Sequence, residues 1–523
     1  MAIMLVGFFL RTYNFHEWLK FRDDQARDAM LTSQAVAGKI PWPLTGPYMS
    51  YSGDGNHVET NSFHLGPAYY YMQIISSKIF GNYADKAAYP DVFFGILSII
   101  LLYAFLRIYF EKNISLGLAG LYAVSAYFIQ YSRFAWNTNL IPFFVLLLLF
   151  SLHKFLDNNE KTPWLWVVLV GVALGIGVQL HAIVMLIFLI VVFAVFLFSM
   201  IKNYKAWMRW AVILIVFLAL NAPQVFTEIK TNFSNTKILF NFSSHDGNEI
   251  KVDRLTLIKN DIDCNIEANS FFLSSYGSSN CTYDFLTPSV YGQVRRAKIV
   301  QDLTLRVAML AGILFSILGY YLLIRYGRKE TGDSKKYFLY LTGLYIIVSF
   351  VLMLPLSVDK FNDLRYLTPT FFVPYVLLGF IIKFLAEKIT VKHAVYLIGV
   401  IFLVLIYTNA SDMAGVVSDL IAGDRTCSSR STTIGELEPV AEYMISNSNG
   451  AKTLYFGGDK AFRVAYGPLA YILEKHGIDS KEIGADTSSP QSNGPAYIVS
   501  CKSGRKELYP YQAVGSINVF RLK

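Results

Sequence analysis

A chain of 523 residues that is 54% hydrophobic and only 16% charged is too apolar for a soluble globular domain, and its apolar residues fall in long runs. The net charge of +9 and pI near 9.0 do not indicate nucleic acid, because the basic residues sit in short clusters between those runs rather than on one patch. The composition leaves a polytopic α-helical membrane protein.

Met1 to Leu10 is apolar but too short to span a bilayer alone at about 1.5 Å per residue, so it reads as the end of a first helix or as the remnant of a longer one. No basic n-region or small-residue cleavage site marks it as a signal peptide. The stretch FRDDQARDA follows. In DDQARDAMLTSQAVAGK the apolar positions recur with helical spacing as far as Gly38, and Asp24, Arg27 and Asp28 lie one turn apart on a shared face. The aspartates are either a solvated helix start, where carboxylates favour the N-terminus, or a reactive cluster; spacing leaves both open. FHLGPAYYYM then carries His64 and a Gly-Pro turn into an aromatic, interfacial helix.

Ten further apolar spans follow, near 91–110, 114–131, 138–156, 164–181, 183–201, 209–222, 303–324, 337–356, 370–386 and 393–409. Each is close to the roughly 20 residues that cross about 30 Å of hydrocarbon, which predicts about 11 transmembrane helices. Basic residues concentrate in alternate connectors: Arg107 and Lys112; Lys154 and Lys161; Lys202, Lys205 and Arg209; Arg325 to Lys336; Lys383 to Lys392. The positive-inside rule makes those connectors cytoplasmic. The external side then receives the loop 13–89, the turns near 132–139, 181 and 357–368, the long loop 223–302, and the tail from 410 onward. Cys264, Cys281, Cys427 and Cys501 all fall in external segments, two in the long loop and two in the tail. One disulfide in each segment is the simplest arrangement for an oxidising compartment.

The tail, 410–523, reads as a small extracytoplasmic α/β domain after a membrane domain of 1–409. GELEPVAEYMI and FRVAYGPLAYILEKHG have helical spacing, and TLYFGG, PAYIVSC and SINVFRL are short strand-like runs bounded by turn residues.

The order of motifs resembles the GT-C membrane glycosyltransferases. A first helix ending in RTYNF, an external DQAR opening a helix, a GKIP turn, GPAYYY, YSRFAWNTNLIPFF and GVQLHA are similar to the branch containing protein O-mannosyltransferases and lipid A aminoarabinose transferases. The resemblance implies an inverting transfer of a sugar from a polyprenyl-phosphate carrier, within a prokaryotic plasma membrane, to an extracytoplasmic lipid, glycan or protein acceptor. Such a reaction needs a general base for the acceptor hydroxyl and positive charge for the leaving phosphate. The motif position makes Asp24 the base, with Asp23 and Asp28 as adjacent registers.

The chain departs from that branch at His64, Leu65, Gly66 and Pro67, which stand where aminoarabinose transferases carry Glu-Lys-Pro-Pro, so the phosphate-binding lysine is missing. Arg27, Arg133 and Arg365 are the replacement cations, the last two being alternatively snorkelling arginines. Asn137 and Asn139 stand where the wider superfamily has a second acidic residue, which puts the metal dependence that the resemblance implies in doubt and leaves a divalent metal ion open as a cofactor. Asn137, Gln179 and Tyr366 complete the expected substrate contacts, and Tyr69, Tyr70 and Tyr71 are expected along the carrier groove. His64 and His181 are able to ligate a divalent ion between two external turns, or are hydrogen-bonded structural imidazoles; both readings stand. The runner-up function is a transporter or flippase. Against it, the ionisable residues cluster in outer loops, and no inverted repeat is visible. The WWDYG motif of oligosaccharyltransferases is absent.

Overall fold

The computed structural model describes residues 1–49, 62–158, 163–241, 253–276, 281, 303–357, 364–423, 425–428, 431–458, 462–483, 494–501 and 511–522. Lys161 and most of 277–302 lie outside the described residues.

Helix α1 (Ala2–Thr12) leads to α2 (Asp23–Val36), a two-stranded ladder of β1 (Tyr48–Met49) and β2 (Phe63–His64), and α3 (Ala68–Phe80). A short α4 (Ala84–Ala87) precedes α5 (Tyr89–Leu106), and α6 (Lys112–Ala123) and α7 (Ala126–Tyr131) form an interrupted pair. The bundle continues through α8 (Ile141–Asn158), α9 (Trp164–Gly177), α10 (Ala182–Lys202) and α11 (Trp207–Lys230). Beyond α12 (Ser234–Asn241) and α13 (Arg254–Ser274) come α14 (Leu303–Lys329), α15 (Asp333–Met353), a 3-10 segment Leu364–Thr370, α16 (Val373–Lys388) and α17 (Val391–Ala422). Among the described residues, seven helices are long and apolar enough to cross a membrane, an eighth arises if the bent pair Leu364–Thr370 and Val373–Lys388 is one span, and α1 and α9 are shorter apolar helices. With the two shorter helices included, the set is roughly consistent with the expected number of about 11.

The external-loop expectation for 223–302 needs correction. Helix α11 continues through Pro223 to Lys230, and α13 is a 21-residue helix packed into the bundle rather than an open loop. Its Asp261, Asp263 and Glu267 are buried. Asn409 explains how the broken α6/α7 pair is tolerated: its side chain accepts from the Ala126 N–H (2.9 Å) and the Ser275 hydroxyl (2.8 Å) and donates to the Leu273 carbonyl. Elsewhere small residues allow close helix contact. A Cβ on Gly171 or Gly175 would meet Val216 or Leu220 of α11 at 2.8 and 2.9 Å.

Connectors assigned to one side meet at one end of the bundle. At the end expected to be cytoplasmic, Lys335 lies 5.5 Å from the Tyr109 ring, and a His153 ring nitrogen is 2.9 Å from the Ser334 carbonyl.

The tail boundary also moves. Helix α17 runs unbroken to Ala422 and stops at Gly423, whose φ of 63° suits glycine, so residue 410 lies inside a helix and the sheet domain begins later. That domain contains α18 (Arg425–Ser428), α19 (Ile434–Ser446), β3 (Thr453–Gly458), α20 (Tyr466–Lys475), β4 (Asp479–Glu482), β5 (Ala496–Ser500), β6 (Tyr511–Val514) and β7 (Ile517–Arg521). The sheet order is β4-β3-β5-β7-β6, with β3 parallel to both β4 and β5, and β7 antiparallel to β5 and β6. The sequence pattern located β3, β5 and β7; the charged edge strand β4 and the exposed edge strand β6 lack the apolar runs that mark the others. Cys264 is bonded to Cys281, and Cys427 to Cys501 across 74 residues, each pair with Cα atoms near 5 Å apart (5.2 and 5.4 Å).

Candidate active site

Helix α2 places the charged motif. The Gln25 side chain accepts from the Arg22 N–H (3.3 Å) to close the first turn, leaving Asp23 and Asp24 where the helix dipole favours negative charge. Asp24 is 62% exposed and accepts one bond of 3.3 Å from Arg27 Nη1. Asp28 is 1% exposed and accepts from Arg27 Nε (2.9 Å), Arg27 Nη2 (2.8 Å) and the Tyr70 hydroxyl (2.8 Å). Burial would lower the Arg27 pKa, but Asp28, Tyr70 and Asp24 raise it above the ordinary arginine value, so this guanidinium is a permanent cation. Its plane lies 4.5 Å from the Tyr48 ring.

The opposite wall comes from three more connectors. Asp91, in the first turn of α5 and fully buried, accepts from the Trp136 N–H (3.1 Å), Asn139 Nδ2 (3.0 Å) and the Tyr69 hydroxyl (3.0 Å), which fixes the turn before α8. Trp136 then supports Arg365, whose guanidinium lies 5.0 Å from its ring centroid and 5.2 Å from that of Tyr366. The side chain of Asn137 donates to the Leu180 carbonyl, drawing the α9–α10 turn inward. His181 caps α10 by accepting the Ile183 N–H at Nδ1, so its proton belongs on Nε2. Burial, reinforced by Arg365, lowers the His181 pKa to about 4, and the ring is a neutral donor at physiological pH.

These walls enclose a cavity of about 460 Å³. Of the residues singled out in the sequence, Asp23, Asp24, Arg27, Asn137, His181, Arg365 and Tyr366 line it. The others stand elsewhere. Asp28 is sealed behind Arg27. Arg133 gives its guanidinium to the carbonyls of Leu10 (3.1 Å) and Tyr13 (2.7 Å), completing the end of α1. Gln179 accepts from the Ala68 N–H (3.0 Å) and donates to the carbonyls of Gly175 and Leu220, packed so closely beneath Gly66 that a Cβ there would overlap it. Both are structural tethers. His64 belongs to β2, its N–H and carbonyl clasped by the side chain of Asn235 (2.6 and 2.9 Å), and it does not line the cavity. Among the described residues no group of three His, Cys, Asp or Glu is placed to hold a metal ion, so His64 and His181 gain no third ligand. Asn139 serves Asp91. Tyr69 and Tyr70 are buried hydrogen-bond donors rather than groove-lining rings, and Tyr71 lies 5.4 Å from Trp42.

Tyr48, Trp136 and Thr138 line the cavity without having been singled out. Asp91 also escaped notice, although a carboxylate opening an apolar span is itself a signal, because such a group demands partners.

A second, apolar cavity of about 450 Å³ lies between α13, α14, α15 and the start of α16, lined among others by Ile266, Ile317, Tyr320, Ile347, Thr370 and Val373. Thr370 directly follows Pro369 of the first cavity in the chain.

Residues 64–221 match the family model described as dolichyl-phosphate-mannose-protein mannosyltransferase. ArnT from Cupriavidus metallidurans in the apo state superposes with a TM-score of 0.52 at 13% identity, over 99% of this chain and 96% of that one. ArnT bound to undecaprenyl phosphate gives 0.51 at 14%, with the same coverage. The Archaeoglobus fulgidus oligosaccharyltransferase in complex with Zn and sulfate gives 0.50 at 13%, over 95% of this chain and 67% of that one. No protein of curated function matches the sequence. The fold is that of the GT-C glycosyltransferases. The similarity to the mannosyltransferase family model covers residues 64–221, and the likeness to ArnT is one of fold over nearly the whole chain.

Proposed function

We propose that the protein is an inverting glycosyltransferase that moves a sugar from a polyprenyl-phosphate carrier to an acceptor on the extracytoplasmic side. The observation that carries the reading is the composition of one cavity: an exposed carboxylate, Asp24, and two guanidiniums, Arg27 and Arg365, face the same space. Asp24 takes the proton of the acceptor hydroxyl as its oxygen attacks C1 of the sugar. The bond from C1 to the phosphate oxygen breaks on the opposite face, and the electron pair leaves with the carrier phosphate. The two arginines stabilise that charge through forked N–H donors, which needs no protonated acid. Neutral His181 and Asn137 offer hydrogen bonds to sugar hydroxyls, and Trp136 offers an apolar ring face. The adjacent apolar cavity accommodates the first prenyl units, and the connectors that build the cavity face the periplasm or cell exterior.

Purified protein incubated with a panel of labelled polyprenyl-phosphate sugars should give transfer to added acceptor or slow hydrolysis to the free sugar. Folded protein that turns over none of them would reject the reading.

A further inference from the structure

Two buried carboxylates stand behind the two cationic walls, and adjacent residues of one helix bind both. On α3, Tyr70 donates to Asp28, which holds Arg27 through two N–H bonds. Its neighbour Tyr69 donates to Asp91, which holds the Trp136 backbone and Asn139, and Trp136 carries Arg365 on its ring face. One turn further along the α2–α3 seam, the Thr32 hydroxyl donates to Gln73 Oε1 (3.3 Å), so the two helices are pinned in register. Asp28, Asp91, Tyr69, Thr32 and Gln73 are all at most 1% exposed, and Tyr70 is 3% exposed. None can touch substrate. Buried carboxylates are costly unless their acceptors are filled, and each here accepts three bonds from groups belonging to a cavity wall or to α3.

We propose that Asp28 and Asp91, bridged by Tyr69 and Tyr70, are positioning residues that hold Arg27 and Arg365 at a fixed separation, so that the two guanidiniums clasp opposite sides of one carrier phosphate. This rests on the glycosyltransferase reading and adds the device that makes the site selective for a phosphorylated lipid. A guanidinium free to rotate loses its advantage over a point charge, because forked donors act through orientation. Arg27 and Arg365 both line the cavity, and oriented guanidiniums there supply the positive charge that a phosphate needs. Preorganisation of this kind lowers the ordering that the ligand must otherwise impose.

The test is the preference of the protein for polyprenyl phosphate over the matching uncharged polyprenol, measured as a ratio of Kd values, with thermal stability read in parallel. Tyr70→Phe and Tyr69→Phe are isosteric and each removes one hydroxyl. Each should reduce the preference by about tenfold, as expected for loss of a hydrogen bond to a charged group. Asp91→Ala should do at least as much. Asp91→Asn should restore most of the preference, since its oxygen can still accept from Trp136 and Asn139 while its amide donates to the Tyr69 oxygen. If the wild type shows the preference and both tyrosine variants keep it while losing stability, the hydroxyls only hold the fold and the inference fails alone. A wild type without any preference for the phosphate would bring down the functional reading, and this inference with it.

Discussion

Replacing Asp24 by Asn separates chemistry from structure at the residue on which the mechanism depends. Asp24 is 62% exposed, and its one described hydrogen bond, to Arg27, is 3.3 Å long. Asparagine keeps an oxygen for that bond and turns its amide toward the open cavity. The structural loss is one exposed ion pair and one favourable charge in the first turn of α2, each worth under about 1 kcal/mol. The catalytic loss is larger, because the amide cannot take a proton. Removal of a general base costs about 100-fold to 10,000-fold, or about 3 to 5 kcal/mol of activation free energy. Asp24→Asn should therefore unfold within a few degrees of the wild type, retain polyprenyl-phosphate binding, and transfer sugar at least about 100-fold more slowly. The assay is initial-rate transfer from a labelled carrier, with unfolding of the same preparation in detergent. Transfer within about tenfold of wild type would refute the assignment of Asp24 and move the base to Asp23, which lines the same cavity.

Arg27→Lys keeps the charge but not the fork, and should raise the Kd for polyprenyl phosphate by about tenfold, checked by equilibrium binding. Breaking the Cys427–Cys501 bridge, which closes 74 residues, should cost about 2 to 4 kcal/mol, read as a lower unfolding temperature of the Cys427→Ser/Cys501→Ser protein. The His16 imidazole is hydrogen-bonded to Asp85 (3.2 Å) and Glu438 (3.1 Å), which raise its pKa to about 10 from an unfolded value of 6.5. Because the folded pKa lies above the unfolded one, this contribution is complete below pH 6.5 and is lost as pH rises toward about 10. The stability difference between wild type and His16→Gln should shrink across that window, and a difference independent of pH would contradict the ion pair.

The helical spacing of DDQARDAMLTSQAVAG and the alternation of basic connectors made α2 and the spans legible, because both depend on local periodicity or on counts of charge. The cavity residues Asp24, Arg27, His181 and Arg365 were legible as chemistry-bearing types in segments assigned to one side. The failures share a cause. Arg133, Gln179 and His64 have the right chemistry in the right connectors, yet the first two are consumed by backbone groups distant in sequence, Leu10 for Arg133 and Ala68 for Gln179, and the His64 backbone is held by the distant side chain of Asn235. No short-range pattern reports a partner more than 100 residues away. Asp91 is the converse: its neighbours in sequence are apolar, and its role exists only through Trp136 and Tyr69. The boundary at 410 moves because α17 continues past its apolar window through a stretch where Met413, Val416, Val417, Leu420 and Ile421 alternate with Ser411, Asp412, Ser418 and Asp419, which a hydropathy reading ends too early.

A motif carried on a connector far from the bundle core would ordinarily be a poor place for catalysis, since precision falls with mobility. Here the connector is gripped from behind by the tail domain. The Phe21 N–H donates to the Thr432 carbonyl (2.9 Å), the N–H groups of Ile434 and Gly435 donate to the carbonyls of Leu19 and Glu17, and Phe21 packs edge-on against Tyr471 of α20. At the far end of α2, Lys475 reaches the Ser33 hydroxyl and the Asn82 carbonyl. Gly467, at the start of α20, packs against Asp23, where a Cβ would sit in ordinary contact 3.4 Å from its carboxylate. Helix α2 is thus held on one side by the tail domain and on another by α3, with the edge that carries Asp23, Asp24 and Arg27 facing the cavity. These contacts hold the helix that carries Asp23, Asp24 and Arg27 from behind, as the placement of a site on a connector requires.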